Sequence, residues 1–94
     1  DSSAFSRLRG DVYRLAATYK NTAAVPIEAP ALELTLTDLQ DQPVVRRVFT
    51  AKELGLSRAT LDAGAEQAIA LPVGLKLGSA AEKISGYRLL ALYP

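Results

Sequence analysis

Apolar and polar residues alternate along residues 31–38, the clearest pattern in the chain. The leucines are Leu32, Leu34 and Leu36, and the polar residues beside them are Glu33, Thr35 and Thr37. Successive side chains of a β-strand point to opposite faces, so we expect the leucines to be buried and the polar residues to meet water. A strand with one polar and one apolar face is typical of an antiparallel sheet that packs on one side.

Similar patterns predict six extended segments in all. They cover residues 2–8, 11–21, 31–38, 44–50, 67–73 and 86–93. Gly10-Asp11 predicts the turn between the first two, and residues 38–43 predict a hairpin turn between the third and fourth. Residues 22–30 contain two prolines, which lack the N–H that a strand needs, and therefore predict an irregular crossover.

Two of the six segments do not alternate regularly. In 44–50, the phase of Val45, Arg47 and Phe49 conflicts with that of Val44 and Val48, which predicts a β-bulge or a change of burial within the strand. In 86–93, Leu90 and Leu92 are apolar as well as the residues of the other face. That pattern predicts a central strand covered on both sides, or a strand at an interface.

Helical structure is predicted to be minor. Thr50, Glu53 and Gly55 form a capping box followed by a terminating glycine, which predicts one helical turn across an open end of the sheets. Residues 57–61 begin with a Ser cap but lack the acidic partner, so they predict at most a second turn. Residues 74–85 are expected to form a loop anchored by Leu75 and Leu77.

Together these elements predict one domain over residues 1–94, with an all-β fold. Short strands with turns every 8 to 12 residues or so are typical of a small antiparallel immunoglobulin-like β-sandwich. The expected core consists of Tyr13, Leu15, Ala17, Leu32, Leu34, Leu36, Ile69, Leu71 and Leu89.

Composition excludes several kinds of chemistry. The 94 residues include no Cys and no His, so thiolate or imidazole metal sites and histidine-dependent nucleophiles are impossible. The net charge is +1 with acids and bases interspersed, which argues against nucleic-acid binding. We therefore expect no enzyme and no cofactor, and the sequence identifies no catalytic, metal or ligand-binding residue.

We expect any membrane attachment to come from a segment outside these residues. No apolar run approaches the roughly 18 residues of a membrane span. The chain starts at Asp1 without an initiator Met. We expect either a processed chain or, in preference, a piece of a longer protein, with any targeting or anchoring segment upstream.

Four groups of polar residues are candidate sites. Asp38 and Asp41 could bind a cation, but cation sites gather more ligands than this, and we favour an ordinary hairpin turn. Asp62 and Glu66 could act as general acid and base, but no apolar pocket is predicted around them, so we favour a solvated turn. Arg46-Arg47 offers anion recognition, but neighbouring strand residues face opposite sides, so we favour solvated arginines that protect a sheet edge. The four tyrosines are expected to pack in the core.

The chain also resembles a bacterial domain of unknown function. That domain forms the C-terminal part of Gram-negative inner-membrane proteins that begin with a Cys-rich zinc ribbon and cross the membrane once. The residues that carry the resemblance are 13–18 with Asn21, 30–38, 43–49, 63–66, 86–89 and 92–94. The ribbon cysteines are absent from this chain, so no metal site carries over.

The resemblance implies a periplasmic domain held at the inner membrane, and it implies no activity. The function we expect is a non-catalytic interaction or spacer domain with an envelope protein as partner and no nucleic acid bound. The alternative is a small-ligand or lipid-binding domain, which a sizeable apolar cavity among the leucines of residues 74–92 would favour.

Overall fold

The computed structural model describes residues 2–56 and 60–93, and eight strands lie within them. The strands are β1 Ser2–Arg9, β2 Val12–Lys20, β3 Ile27–Glu28, β4 Ala31–Thr37, β5 Pro43–Phe49, β6 Thr60–Leu61, β7 Glu66–Gly74 and β8 Gly86–Leu92. All six predicted strands are present within two residues of their expected ends. The two short strands β3 and β6 were not predicted, and they pair with each other.

The longer strands form two antiparallel three-stranded sheets. Their orders are β1-β2-β7 and β5-β4-β8, so β2 and β4 are central and the other four are edges. The side chains between the sheets form the core, which confirms an all-β, sandwich-like domain. The two hairpins, β1-β2 and β4-β5, are formed as the turn residues predicted.

Most of the predicted core is buried. Tyr13, Leu15, Leu32, Leu34, Leu36 and Ile69 are each at most 6 % exposed. Ala17, Leu71 and Leu89 are only partly buried and pack around that centre. The core also includes residues that the sequence did not assign to it: Ala31, Leu54, Leu61, Val73 and Leu75.

The outer face of β4 is less exposed to solvent than expected. Thr35 is 5 % exposed and Thr37 is 3 % exposed, while Glu33 is half-buried, so the prediction that all three meet water was wrong. The cause is the central position of the strand. Arg46 of β5 and Arg88 of β8 lie in register on either side of Thr35, and long arginine stems cover apolar and small neighbours.

A β-bulge resolves the irregular pattern of β5. Leu36 pairs with Val45 and Thr37 with Pro43, so Val44 is the additional residue. Beyond the bulge, Arg47 lies opposite Leu34 and is on the face of β5 that points towards the other sheet. It is nevertheless exposed, because β5 is an edge strand.

The prediction that the last strand is central was wrong. Among the described residues β8 pairs with β4 alone. Its outer-face Leu90 is 60 % exposed. The apolar residues on both faces reflect exposed surface rather than a covered strand.

The predicted helical turn after β5 is present as one compact turn. Thr50 N–H donates to Glu53 Oε1 at 3.0 Å, and Glu53 N–H donates to Thr50 Oγ1 at 3.2 Å, which completes the capping box. Leu56 N–H donates to the Ala51 carbonyl and Gly55 N–H to that of Lys52, a Schellman ending that requires the positive φ of 77° at Gly55. Leu54 packs against Leu32 and Ile69, one from each sheet, as expected of a turn lying across their open end.

The other two segments, 57–61 and 74–85, differ from their predicted structure. In the weakly predicted segment 57–61, residues 57–59 lie outside the described residues, and Thr60–Leu61 forms β6 instead of a helix. The predicted loop 74–85 contains a 3₁₀-helix, Gly78–Lys83, that the sequence analysis missed. The two expected anchors are confirmed. Leu75 is 1 % exposed in the larger core cluster, and Leu77 packs against that cluster.

Asn21 is the one fully buried polar side chain among the largest buried side chains of the described residues. Its Nδ2 donates to the carbonyls of Val25, Leu61 and Asp62 at 2.9–3.1 Å, and its Oδ1 accepts the N–H of Ala23. Its backbone bonds to Ala65 and Gly64. One side chain therefore joins the crossover, β6 and the turn before β7.

Candidate interaction surface

The first carboxylate pair is part of the β4-β5 turn. Asp38 Oδ1 accepts the N–H groups of Gln40 and Gln42, both at 2.9 Å, and thereby closes the turn. Asp41 has a φ of 60° and its carboxylate meets Arg88 at 3.3 Å. The two carboxylates serve different contacts, which agrees with the turn interpretation.

The second pair is also built into a turn. The Asp62 carbonyl accepts Ala65 N–H at 3.0 Å, and Gly64 adopts the positive φ of 74° that the bend needs. Asp62 and Glu66 are both exposed, as expected of residues in a solvated turn. Among residues 2–56 and 60–93, no cluster of carboxylates suited to holding a metal ion is found.

The two arginines of β5 do not act together. Arg46 Nε lies 3.6 Å from Glu33 Oε1 on the outer face, whereas Arg47 occupies an inner-phase position. An inward-phase charge on an edge strand opposes pairing with another strand, because that pairing would bury it. This placement supports the view that the arginines protect an edge.

The tyrosines have structural contacts, though not all are in the core. Tyr13 is buried and stacks on Phe5, with ring centroids 5.2 Å apart. Tyr87 shares a hydrogen bond of 3.0 Å with Ser3 Oγ, which links β8 to β1. Tyr93 is 58 % exposed, and its hydroxyl donates to the Glu28 carbonyl at 2.7 Å.

Tyr19 differs from the other three. Its hydroxyl oxygen is shielded from solvent and has no hydrogen-bond partner among the described residues. Burial raises the pKa of Tyr19 above its ordinary value, and the Tyr93 hydroxyl adds to the increase. Loss of water disfavours the phenolate, so Tyr19 remains a neutral donor over a wider range of pH.

The four sheet edges are not equally protected against a further strand. β1 has a bulge at Leu8, and β7 has Pro72 within its length. β5 combines a leading proline, the bulge at Val44 and the inward-phase Arg47. β8 keeps a continuous register with β4 over all seven residues and has Arg88 as its one charge. Bulges, prolines and inward-facing charges are the features by which natural sheets prevent pairing at an edge, and by these features β8 is the least protected of the four edges.

A cleft lies beside this edge, in the seam between the two sheets. Its walls come from the start of β1 and the end of β8, and it has a volume of about 190 Å³. The lining residues are Ser2, Ser3, Ala17, Thr18, Tyr19, Leu32, Leu89 and Ala91. Beside the cleft, Ser3 and Phe5 contact Tyr87 and join the two sheets.

Exposed apolar side chains extend the surface around β8. Leu90 and Val48 lie on the outer face of the same sheet, 60 % and 44 % exposed, on either side of Glu33. Neither the cleft nor this edge is predictable from the sequence, because both depend on which strand ends lie side by side. The double apolar pattern of β8, with its interface alternative, was the feature that pointed to them.

The described residues contain no helix of the length and apolarity needed to cross a bilayer. Comparison with curated proteins and with solved structures gave no match. Residues 1–91 match a family described as protein of unknown function (DUF3426). Since that match spans nearly the whole chain, the protein belongs to the DUF3426 family.

Proposed function

We propose that this domain is a non-catalytic interaction module of a membrane-anchored bacterial envelope protein, and that it binds its partner through the β8 edge. The observation that carries the proposal is the regular backbone of β8, the least protected edge, beside a partly apolar cleft. Edges of this kind are templates for pairing with another chain, and most soluble domains protect them.

The strand order supports an immunoglobulin-like arrangement. In that fold, strands A, B and E share one sheet, and C′, C, F and G lie in order in the other. β1-β2-β7 corresponds to A-B-E, and β5-β4-β8 corresponds to C′-C-F. The side of β8 that lacks a neighbouring strand among the described residues is the side on which G would pair.

The envelope location rests on the resemblance to inner-membrane proteins with a zinc ribbon and one membrane span. A domain without Cys or His is compatible with an oxidising compartment, since it has no thiol to oxidise. The domain on the periplasmic side would then present β8 to other envelope proteins.

Two measurements on the full-length protein test this proposal. Fractionation of cells, with protease treatment of spheroplasts, should place the domain in the membrane fraction and on the periplasmic side. Crosslinking in intact cells should capture an envelope protein, and Arg88→Glu should abolish that product. Arg46→Glu is the matched control, because Arg46 is an exposed arginine on the protected edge β5.

A wholly cytosolic protein would refute the envelope role. A crosslink that Arg46→Glu and Arg88→Glu reduce equally would refute the assignment of the surface. Thermal unfolding of both variants checks that neither substitution acts through stability.

Binding of a small ligand or lipid is the second candidate, and the cleft in the seam supports it. Leu89 and Ala91 come from the segment where such a cavity was expected. About 190 Å³, however, is below the roughly 300–1,000 Å³ of pockets that enclose drug-sized ligands. The size favours occupation by a side chain over occupation by a free ligand. A second cleft of about 440 Å³ lies between the β4-β5 turn and residues 82–85, but five of its seven lining residues are charged or polar, which suits a lipid poorly.

A further inference from the structure

We propose that β8 accepts an extended segment of a partner polypeptide as an added strand, with the inward side chains of that segment in the cleft. The segment has small apolar residues facing inward and an acidic residue opposite Arg88. This inference rests on the proposed function and specifies the chemistry of the partner.

Backbone geometry provides the first argument. Every residue of β8 is in register with β4, so the N–H and C=O groups on its other side form a regular row. Peptide groups are strong donors and acceptors, and an added strand satisfies them at the usual spacing without any rearrangement.

The cleft provides the second argument, because it limits what can enter. Inner-face residues of an added strand would point the same way as Leu89 and Ala91, into the seam towards Leu32 and Ala17. A volume of about 190 Å³ holds one or two aliphatic side chains; an engineered apolar cavity of about 150 Å³ holds a benzene. Small apolar residues at alternate positions match this space.

Charge provides the third argument and separates a partner from a second copy. Across the outer face, Arg46, Thr35 and Arg88 lie in one row, and β8 contains no acidic residue. Two β8 strands pairing with each other would therefore bring no acid to Arg88. Cross-strand pairs of opposite charge stabilise a sheet, so an acidic residue in the incoming strand is the complement.

The present partner of Arg88 does not prevent this exchange. Arg88 Nη1 lies 3.3 Å from Asp41 Oδ2, but their side chains are 53 % and 73 % exposed. Exposed ion pairs contribute little to stability, so the guanidinium can turn to an acid on the added strand at small cost.

The test is selection of binders from a displayed library of random linear peptides on the folded wild-type domain. Enriched peptides should alternate small apolar with polar residues and include Asp or Glu. Ala91→Phe fills the cleft and should weaken the enriched peptides at least about tenfold. Ala70→Phe is the matched control, since Ala70 is also an exposed alanine on an edge strand and should leave affinity unchanged.

Selection of peptides on the Arg88→Glu variant tests the role of the Arg88 charge. The enriched peptides should then carry Lys or Arg in place of the acid. Selection of the same acidic peptides on both proteins would overturn the assigned role of Arg88. For the wild type, amide exchange with and without peptide gives a readout independent of variants, and exchange should slow in β8 and not in β7.

Three results would overturn the proposal as a whole. The first is that no peptides are enriched on the wild-type domain. The second is that enriched peptides bind wild type and Ala91→Phe equally and leave amide exchange in β8 unchanged. The third is a wild-type dimer that Ala91→Phe dissociates, which would assign the edge to a second copy. None of these results bears on the fractionation experiment, so the envelope location is judged separately from the role of the β8 edge.

Discussion

Single residues fix the connections between the two sheets, and Asn21 is the clearest case. With 2 % exposure it makes four side-chain hydrogen bonds to three separate segments. Buried polar groups are tolerated where their hydrogen bonds are satisfied, and each carbonyl that loses its donor then costs free energy.

We predict that Asn21→Ala lowers the free energy of unfolding by about 2–4 kcal/mol, because several buried carbonyls lose their donor. Asn21→Asp, of the same shape, keeps the acceptor for Ala23 N–H but places a carboxylate among three carbonyls. Its buried carboxyl should have a raised pKa, so its stability should decline as the pH rises through that pKa. Urea unfolding at several pH values measures both, and a change below about 0.5 kcal/mol for Asn21→Ala would contradict the assigned role.

Leu34 tests the register of β4. It is 1 % exposed at the centre of the larger core cluster, so Leu34→Ala should cost about 2–5 kcal/mol. Leu39→Ala is the same change at a turn residue that is 85 % exposed, and it should stay within about 0.5 kcal/mol. Denaturant curves showing equal losses for the two variants would place Leu34 outside the core.

At the scale of elements, each turn is defined by hydrogen bonds among its own residues, whereas each strand depends on the strands that pair with it. The segment after β5 closes on itself through the Thr50–Glu53 box and the glycine that follows it. β5 and β8 have comparable length, yet one carries several devices against pairing and the other carries almost none.

The capping box should make stability depend on pH. Hydrogen bonds from the Thr50 backbone and side chain lower the pKa of Glu53 below its ordinary value. A lowered pKa means that the contribution is present above the pKa of the unfolded chain and is lost as the pH falls through that of the folded protein. Glu53→Gln keeps a capping partner but cannot titrate, so the difference in Tm between wild type and variant should shrink on acidification. A difference that grows towards low pH would refute this role.

At the scale of the whole molecule, the two three-stranded sheets have two interior strands and four edge strands among the described residues. β2 and β4 are each hydrogen-bonded on both sides, whereas β8 is bonded to β4 alone among the described strands. Local opening costs least where few contacts hold the backbone. The order of the strands therefore determines the order of local stability.

Amide hydrogen exchange should follow that order. We expect the slowest exchange in β2 and β4, and fast exchange at Leu89 to Leu92 along the edge beside the cleft. Mass spectrometry or NMR on the isolated domain measures it directly. Protection of β8 equal to that of β4 would indicate that the edge is already paired, for example with a second copy.

The six longer strands, the hairpins, the capping box and most of the core follow from the sequence alone. Those features depend on local alternation and on residues with fixed turn preferences, as at Leu32, Thr50 and Gly10. Which strands are edges follows from the tertiary fold, as do the burial of Thr35, the exposure of Leu90 and the cleft between β1 and β8. Alternation shows which residues share a face, but the coverage of a face and the freedom of an edge depend on strands distant in the chain.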